Sequence, residues 1–173
     1  MDNKGSKSKG SAFERKVARL IAAYLGVDQS VIKRTQPQDP FRQIHGDIEI
    51  PEHLRDRFPY TIENKAVEGW TLESFMSKSN NLLIKWAEQA IDARVAGTYA
   101  IVMFTRNYMP IFVFLVEERD SFGMDSMDIY PTPCAFIDFD INEKSYMGIL
   151  FTLDKFFEYN NGVFNKEQNN VKQ

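Results

Sequence analysis

The chain has 173 residues, 43% hydrophobic and 26% charged, which suits one soluble domain and is short for two. Net charge is -3, but residues 1–47 carry nine Lys/Arg against five Asp/Glu and residues 110–160 carry three against ten, an asymmetry compatible with one phosphate-facing surface. One cysteine (Cys134) and two histidines (His45, His53) exclude a disulfide scaffold and a Cys/His zinc site, and no run of residues is long and apolar enough to span a membrane.

Residues 1–10 are polar and rich in Gly, Ser and Lys, the composition of a disordered basic tail, with no signal-peptide pattern. A helix is expected from near Ser11, because Phe13, Val17, Leu20, Ile21 and Tyr24 recur at helical spacing until Gly26. VIKRTQ (31–36) reads as a short strand. Asp47–Ile50 and Tyr60–Ala66 read as two more, joined through Pro51–Pro59. Residues 71–79 are ambiguous between a short helix and a loop. From Asn80 to Val95 the pattern is helical, with Leu83, Trp86, Ala87, Ala90 and Ile91 on one face.

The apolar runs 98–105 and 111–116 are expected as strands covered on both sides. An acidic loop fills 117–133. A hairpin from 135–140 and 146–151 and a short helix LDKFFEY follow, and residues 161–173 form a polar tail. The reading is one mixed α/β domain over 11–160, with a core to about 116 and additions at 117–160.

No Gly-rich phosphate loop, G-x-S-x-G elbow or Cys–His pair is present, so any chemistry rests on carboxylates, lysine and a hard cation. In the strand Tyr60–Ala66, alternation puts Thr61, Glu63 and Lys65 on one face, with Glu63 and Lys65 roughly 7 Å apart. Antiparallel pairing with the preceding strand would bring Asp47 beside Glu63. Two carboxylates and a lysine can hold a divalent cation, orient a water and stabilise the charge that develops on a phosphodiester.

An exposed strand face also supplies Glu-x-Lys without function. The Gly46–Asp47 pair opening the preceding strand is what favours the catalytic reading. Glu14 has two readings that do not exclude each other: the last residue of a Ser11-x-x-Glu14 capping box, or a carboxylate leaning towards the cation. Lys85 and Gln89 share a helix face, which reads as solvated surface more for Lys85 than for Gln89. Lys33 and Arg34 could meet phosphates or simply line an exposed strand. Asp138 and Asp140 read as surface charges, Trp86 as core, and both histidines as loop residues.

Taken together, Lys9–Arg15, Val31–Arg34, Gly46-Asp47-Ile48, Ile62-Glu63-Asn64-Lys65 and Lys85–Ala90 resemble the PD-(D/E)XK nuclease superfamily. The resemblance is closest to its Holliday-junction resolvase-like members from archaea and phages, and it covers about residues 9–116. It implies a restriction-endonuclease-like αβββαβ core, here with an appended C-terminal hairpin and helix. Asp47 and Glu63 would ligate Mg2+ or Mn2+ with the backbone carbonyl of Asn64, Lys65 would serve the attacking water, and Glu14 and Gln89 would support the site. Arg34, Lys33 and Arg15 would hold DNA phosphates. Gly46 stands where the signature has proline, a departure resembling the resolvase-like branch.

The function implied is a metal-dependent endonuclease acting in the cytoplasm on branched DNA as a homodimer. The alternatives are a restriction-like, flap or repair endonuclease and a non-catalytic binding module. The aromatic segment Phe151, Phe156, Phe157, Tyr159 and Phe164 is a candidate dimer face, or else a cluster packed on its own domain.

Overall fold

The computed structural model describes residues 3–35, 46–76, 82–119 and 133–164. Helix α1 spans Asn3–Leu25, so it begins within the expected tail rather than near Ser11. Ser11 is therefore inside the helix, its backbone N–H already served, and the capping box is not formed. Phe13, Val17, Ala18, Ile21, Ala22 and Leu25 make the buried stripe. Gly26, at φ 68, ends the helix in a Schellman motif: Val27 N–H donates to the Ala22 carbonyl at 3.0 Å and Gly26 N–H to Ala23 at 3.2 Å.

Strands β1 (Lys33–Arg34) and β2 (Ile48–Glu49) pair antiparallel in a small sheet of their own. A 3-10 turn at Glu52–Leu54 leads to β3 (Tyr60–Ala66). Helices α2 (Leu72–Met76) and α3 (Leu82–Asp92) precede β4 (Tyr99–Thr105) and β5 (Phe112–Glu118). β6 (Ala135–Ile141) and β7 (Lys144–Thr152) form the hairpin, and α4 (Leu153–Phe164) closes the described chain. The main sheet has the order β3-β4-β5-β7-β6, with β3 and β4 parallel and the other pairs antiparallel. The parallel pair needs a crossover, and α3 supplies it.

This is the mixed α+β, restriction-endonuclease-like arrangement expected, with two differences. The segment opening with Asp47 forms no ladder with β3; β2 pairs β1 instead. The C-terminal hairpin is not merely appended, because β7 pairs β5 along its length, from Phe112↔Thr152 to Glu118↔Tyr146. Gly148 permits the packing there: a Cβ on it would come within 1.8 Å of the Phe114 ring.

Alternation divides the sheet between two cores. Ile62, Ile101, Met103, Val113, Leu115, Ile149 and Phe151 meet α1 and α4 on one face. Ala100, Val102, Phe104, Phe112, Phe114 and Val116 meet α3 and Trp70 on the other. Covering on both sides explains why β4 and β5 read as unbroken apolar runs. Phe151, Phe156 and Tyr159 are buried in the first core, with Phe157 and Phe164 packed against it, so this aromatic segment serves its own domain. Trp86 is core as expected, and Asp138 and Asp140 are exposed on the outer strand β6.

Candidate active site

The site begins with an edge. β3 is the terminal strand of the main sheet, so its even-numbered residues direct backbone groups away from β4, where they need partners from elsewhere. Asp47 supplies them. Its N–H donates to the Ile62 carbonyl at 2.7 Å, and its carboxylate Oδ2 accepts the Asn64 N–H at 2.6 Å. One residue thus satisfies two neighbouring groups of the edge, as a strand residue would, but with a carboxylate in place of a carbonyl. The Asn64 carbonyl projects to the same side as its N–H and lies on this edge as well.

Gly46 makes that approach possible. It adopts φ 75, and a Cβ there would stand 2.7 Å from the Ile62 carbonyl oxygen and 3.1 Å from the Ile62 nitrogen. Any side chain would push Asp47 off the edge. Proline, held near φ −65°, could not take this backbone conformation at all. The departure from the superfamily's proline therefore has a local physical cause. The same glycine explains why no ladder forms: the chain comes onto β3 at one residue and turns away to pair with β1.

On β3, Glu63 and Lys65 share a face as expected, and the Lys65 Nζ donates to Glu63 Oε1 at 2.7 Å. Both side chains are about four-fifths buried, at 17% and 20% exposure. Thr61, on the same face, is fully enclosed. It donates to Thr98 Oγ1 at 2.7 Å and accepts the Val95 N–H at 3.1 Å, which fastens the exit of α3 to the start of β3.

Asp47 reports the company it keeps. Its carboxyl is raised from 3.8 to about 6, first by burial and then by the Glu63 carboxylate, with Glu14 adding to the rise. The Asn64 N–H and the Lys65 ammonium act in the opposite direction. Glu63, Glu14 and Lys65 therefore each lie within electrostatic reach of Asp47. Glu14 comes from α1 and forms an ion pair with Arg34 of β1, both partly buried.

Arg34 is drawn onto Glu14, and it also lines a cleft of about 300 Å3 with Arg15, Arg19 and Gln29. Lys33 is exposed and lies opposite Glu49 in the β1–β2 register. Lys85 and Gln89 are exposed on α3, and among the described residues no hydrogen bond joins the Gln89 side chain to the carboxylates. His53 is exposed in the 3-10 turn, and His45 lies outside the described residues. The residues that sequence reasoning passed over are Thr61 as a tie and the Asn64 N–H as the Asp47 anchor. The alternation of β3 could have flagged the first, and nothing in the sequence marks the second.

Among the described residues, no three His, Cys, Asp or Glu side chains close on one another in ion-holding geometry. The Asp47–Glu63 pair nevertheless suits a hard cation such as Mg2+, which takes one or two carboxylates and keeps several waters. The donor set is what fits: two partly buried carboxylates beside the edge on which the Asn64 carbonyl lies, all hard oxygen ligands. No described helix is long and apolar enough to cross a membrane.

No curated protein and no solved structure matches the chain. A family model described as "phage putative PDDEXK endonuclease" matches residues 5–166, which takes in α1, the Asp47–β3 edge, the main sheet and α4. The chain belongs to that phage PDDEXK endonuclease family.

Proposed function

We propose that this endonuclease hydrolyses DNA phosphodiesters with a divalent cation held by Asp47 and Glu63, and that four-way or otherwise branched DNA is its substrate. The observation carrying the reading is the β3 edge, where Asp47 is anchored by Ile62 and Asn64 beside the Glu63–Lys65 pair. Asp47, Glu63 and the Asn64 carbonyl would hold Mg2+ or Mn2+, which would supply the Lewis acidity that the phosphodiester needs.

This chain's own groups do the rest. The Lys65 ammonium, which pairs with Glu63, would orient the attacking water and stabilise charge developing on the phosphate. Asp47 stays in place because both its backbone and its carboxylate are tied to β3. Glu14 supports the carboxylates from α1, and Gln89 is assigned a supporting part from α3. Arg15, Lys33 and Arg34 hold backbone phosphates, with Arg34 exchanging Glu14 for substrate. The catalytic unit is one domain, expected over residues 11–160 and extended at both ends by α1 and α4. A homodimer is the natural assembly for two symmetric cuts in a four-way junction.

The test is cleavage of end-labelled four-way junction, flap, nicked and linear DNA with Mg2+ or Mn2+. The junction should be cut in a metal-dependent way, and Asp47→Ala and Lys65→Ala should each abolish cutting. Preferential cutting of flap or linear DNA would replace the junction by a flap- or restriction-type substrate. DNA binding without turnover on any substrate, unchanged by Asp47→Ala, would leave a non-catalytic nuclease-fold binding module.

A further inference from the structure

The turn between β4 and β5 holds a tyrosine in an unusual state. Tyr108 is fully exposed, and its φ is 63, in the left-handed region that glycine and asparagine ordinarily occupy. It sits at the third position of a turn closed by Met109 N–H on the Arg106 carbonyl at 3.2 Å, where a positive φ favours glycine. An aromatic ring kept in water on a disfavoured backbone gains nothing from folding. Such an outlier points to a task.

The turn is also held firmly on several sides. Asn107 N–H donates to Glu68 Oε1 at 3.1 Å, and Glu68 is in turn ion-paired with Lys9 of α1. The Arg106 guanidinium lies 5.2 Å from the centroid of the buried Trp70 ring. The Thr105 hydroxyl can donate to the carbonyls of Met109 or Pro110, at 3.1 and 3.2 Å. Tyr108 thus projects from a braced turn.

Its position gives the partner. Lys65 stands opposite Phe104 in the β3–β4 register, and Val67 N–H donates to the Thr105 carbonyl at 3.2 Å, so the turn rises from the Lys65 end of the sheet. From Phe104 to Tyr108 the chain can extend at most about 13 Å. With the strand spacing of about 4.8 Å between Lys65 and Phe104, and at about 3.4 Å per nucleotide along a strand, Tyr108 lies within a few nucleotides of a phosphate at Lys65. The Lys9–Glu68 link joins this turn to the same helix that carries Glu14.

We infer that Tyr108 is a stacking platform for an unpaired or unstacked DNA base a few nucleotides from the cut. A rigid, exposed aromatic ring suits a base that has left its stack, as happens at a branch point, and gains little on an intact duplex. This rests on the DNA substrate proposed above, and it adds a residue that reads branching directly.

The experiment uses the full chain carrying Asp47→Asn, so that DNA stays whole, and a four-way junction with 2-aminopurine at the branch beside a linear duplex of the same sequence. Tyr108 should alter the 2-aminopurine fluorescence on binding. Tyr108→Ala should lose that signal and weaken junction binding about tenfold. Duplex binding should stay within about twofold, and Tyr108→Phe should keep both signal and affinity. Tyr108→Gly should lose stacking yet melt at a higher temperature than wild type, because glycine accepts the positive φ.

Equal junction binding by Tyr108→Ala, or equal loss on junction and duplex, overturns the inference. So does a smaller sedimenting species for Tyr108→Ala, which would make Tyr108 a contact between copies of the chain. The two readings fail separately. A Tyr108-dependent signal on a junction that the otherwise wild-type chain never cuts sinks the cleavage reading alone, whereas normal cutting with no such signal sinks the stacking alone.

Discussion

Asp47 and Glu117 are both carboxylates that burial pushes upward, Asp47 to about 6 and Glu117 to about 7. Glu117 lies beyond Val116, which pairs with Ala100, so it sits near the end of the sheet where β3 begins. It lines a cleft of about 410 Å3 with Arg94, Thr98, Tyr99 and Glu118. Burial is the sole cause of its rise, whereas Glu63, Glu14, Lys65 and the Asn64 N–H all act on Asp47. A perturbation of similar size thus arises at the place with less chemistry. A buried carboxyl marks a site when other charges converge on it; desolvation alone marks only a cost.

The widest separation between the two should come from removing their charges. Asp47→Asn keeps an oxygen that can accept the Asn64 N–H, so circular dichroism and melting should report a folded protein. Cleavage should nevertheless fall on the order of a thousandfold, since a cation ligand contributes several kcal/mol at the transition state. Glu117→Gln should cut DNA at the wild-type rate. Equal losses in the two variants would erase the distinction.

A smaller effect should come from moving Asp47 without changing it. Gly46→Ala puts a methyl 2.7 Å from the Ile62 carbonyl oxygen on a backbone at φ 75. The expected result is roughly a hundredfold loss of cleavage with a lowered melting temperature, in keeping with an ångström-scale misplacement. Gly46→Pro should be worse on both counts. Wild-type cleavage by Gly46→Ala would show that Asp47 is not held by this approach.

Much of this was legible in the sequence because it follows from period and residue type. Alternation alone put Glu63 and Lys65 together on β3, and the double apolar faces of β4 and β5 announced a covered sheet. The start of α1 was not legible, since Gly and Ser between Asn3 and Gly10 lower local helix propensity while the helix continues through them. Nor was the partner of β7, because strand order depends on contacts distant in the chain, here with β5 rather than β6 alone. At the site, the identity of Asp47 was readable and its anchoring was not. The sequence suggested a strand pairing, and the fold uses a glycine and one residue's two hydrogen bonds. Gln89 was readable only as a position on a helix face, and that face is exposed on α3.

The mildest test concerns Glu117 and reads stability rather than turnover. Its folded carboxyl, raised to about 7 from an ordinary 4.5, binds a proton more tightly than the unfolded one. The folded state therefore has its full advantage from this group below about 4.5 and loses it as pH rises through about 7. Glutamine carries no such charge, so Glu117→Gln should be more stable than wild type above pH 7 and indistinguishable from it near pH 4.5. Allowing for the solvent that this carboxyl still meets, the gain at pH 8 should be about 2 kcal/mol. Urea melts of both proteins at the two pH values measure it. A gain that persists unchanged at the lower pH would mean that the substitution acts through packing in the Arg94–Tyr99 cleft, and that Glu117 does not carry a buried charge there at neutral pH.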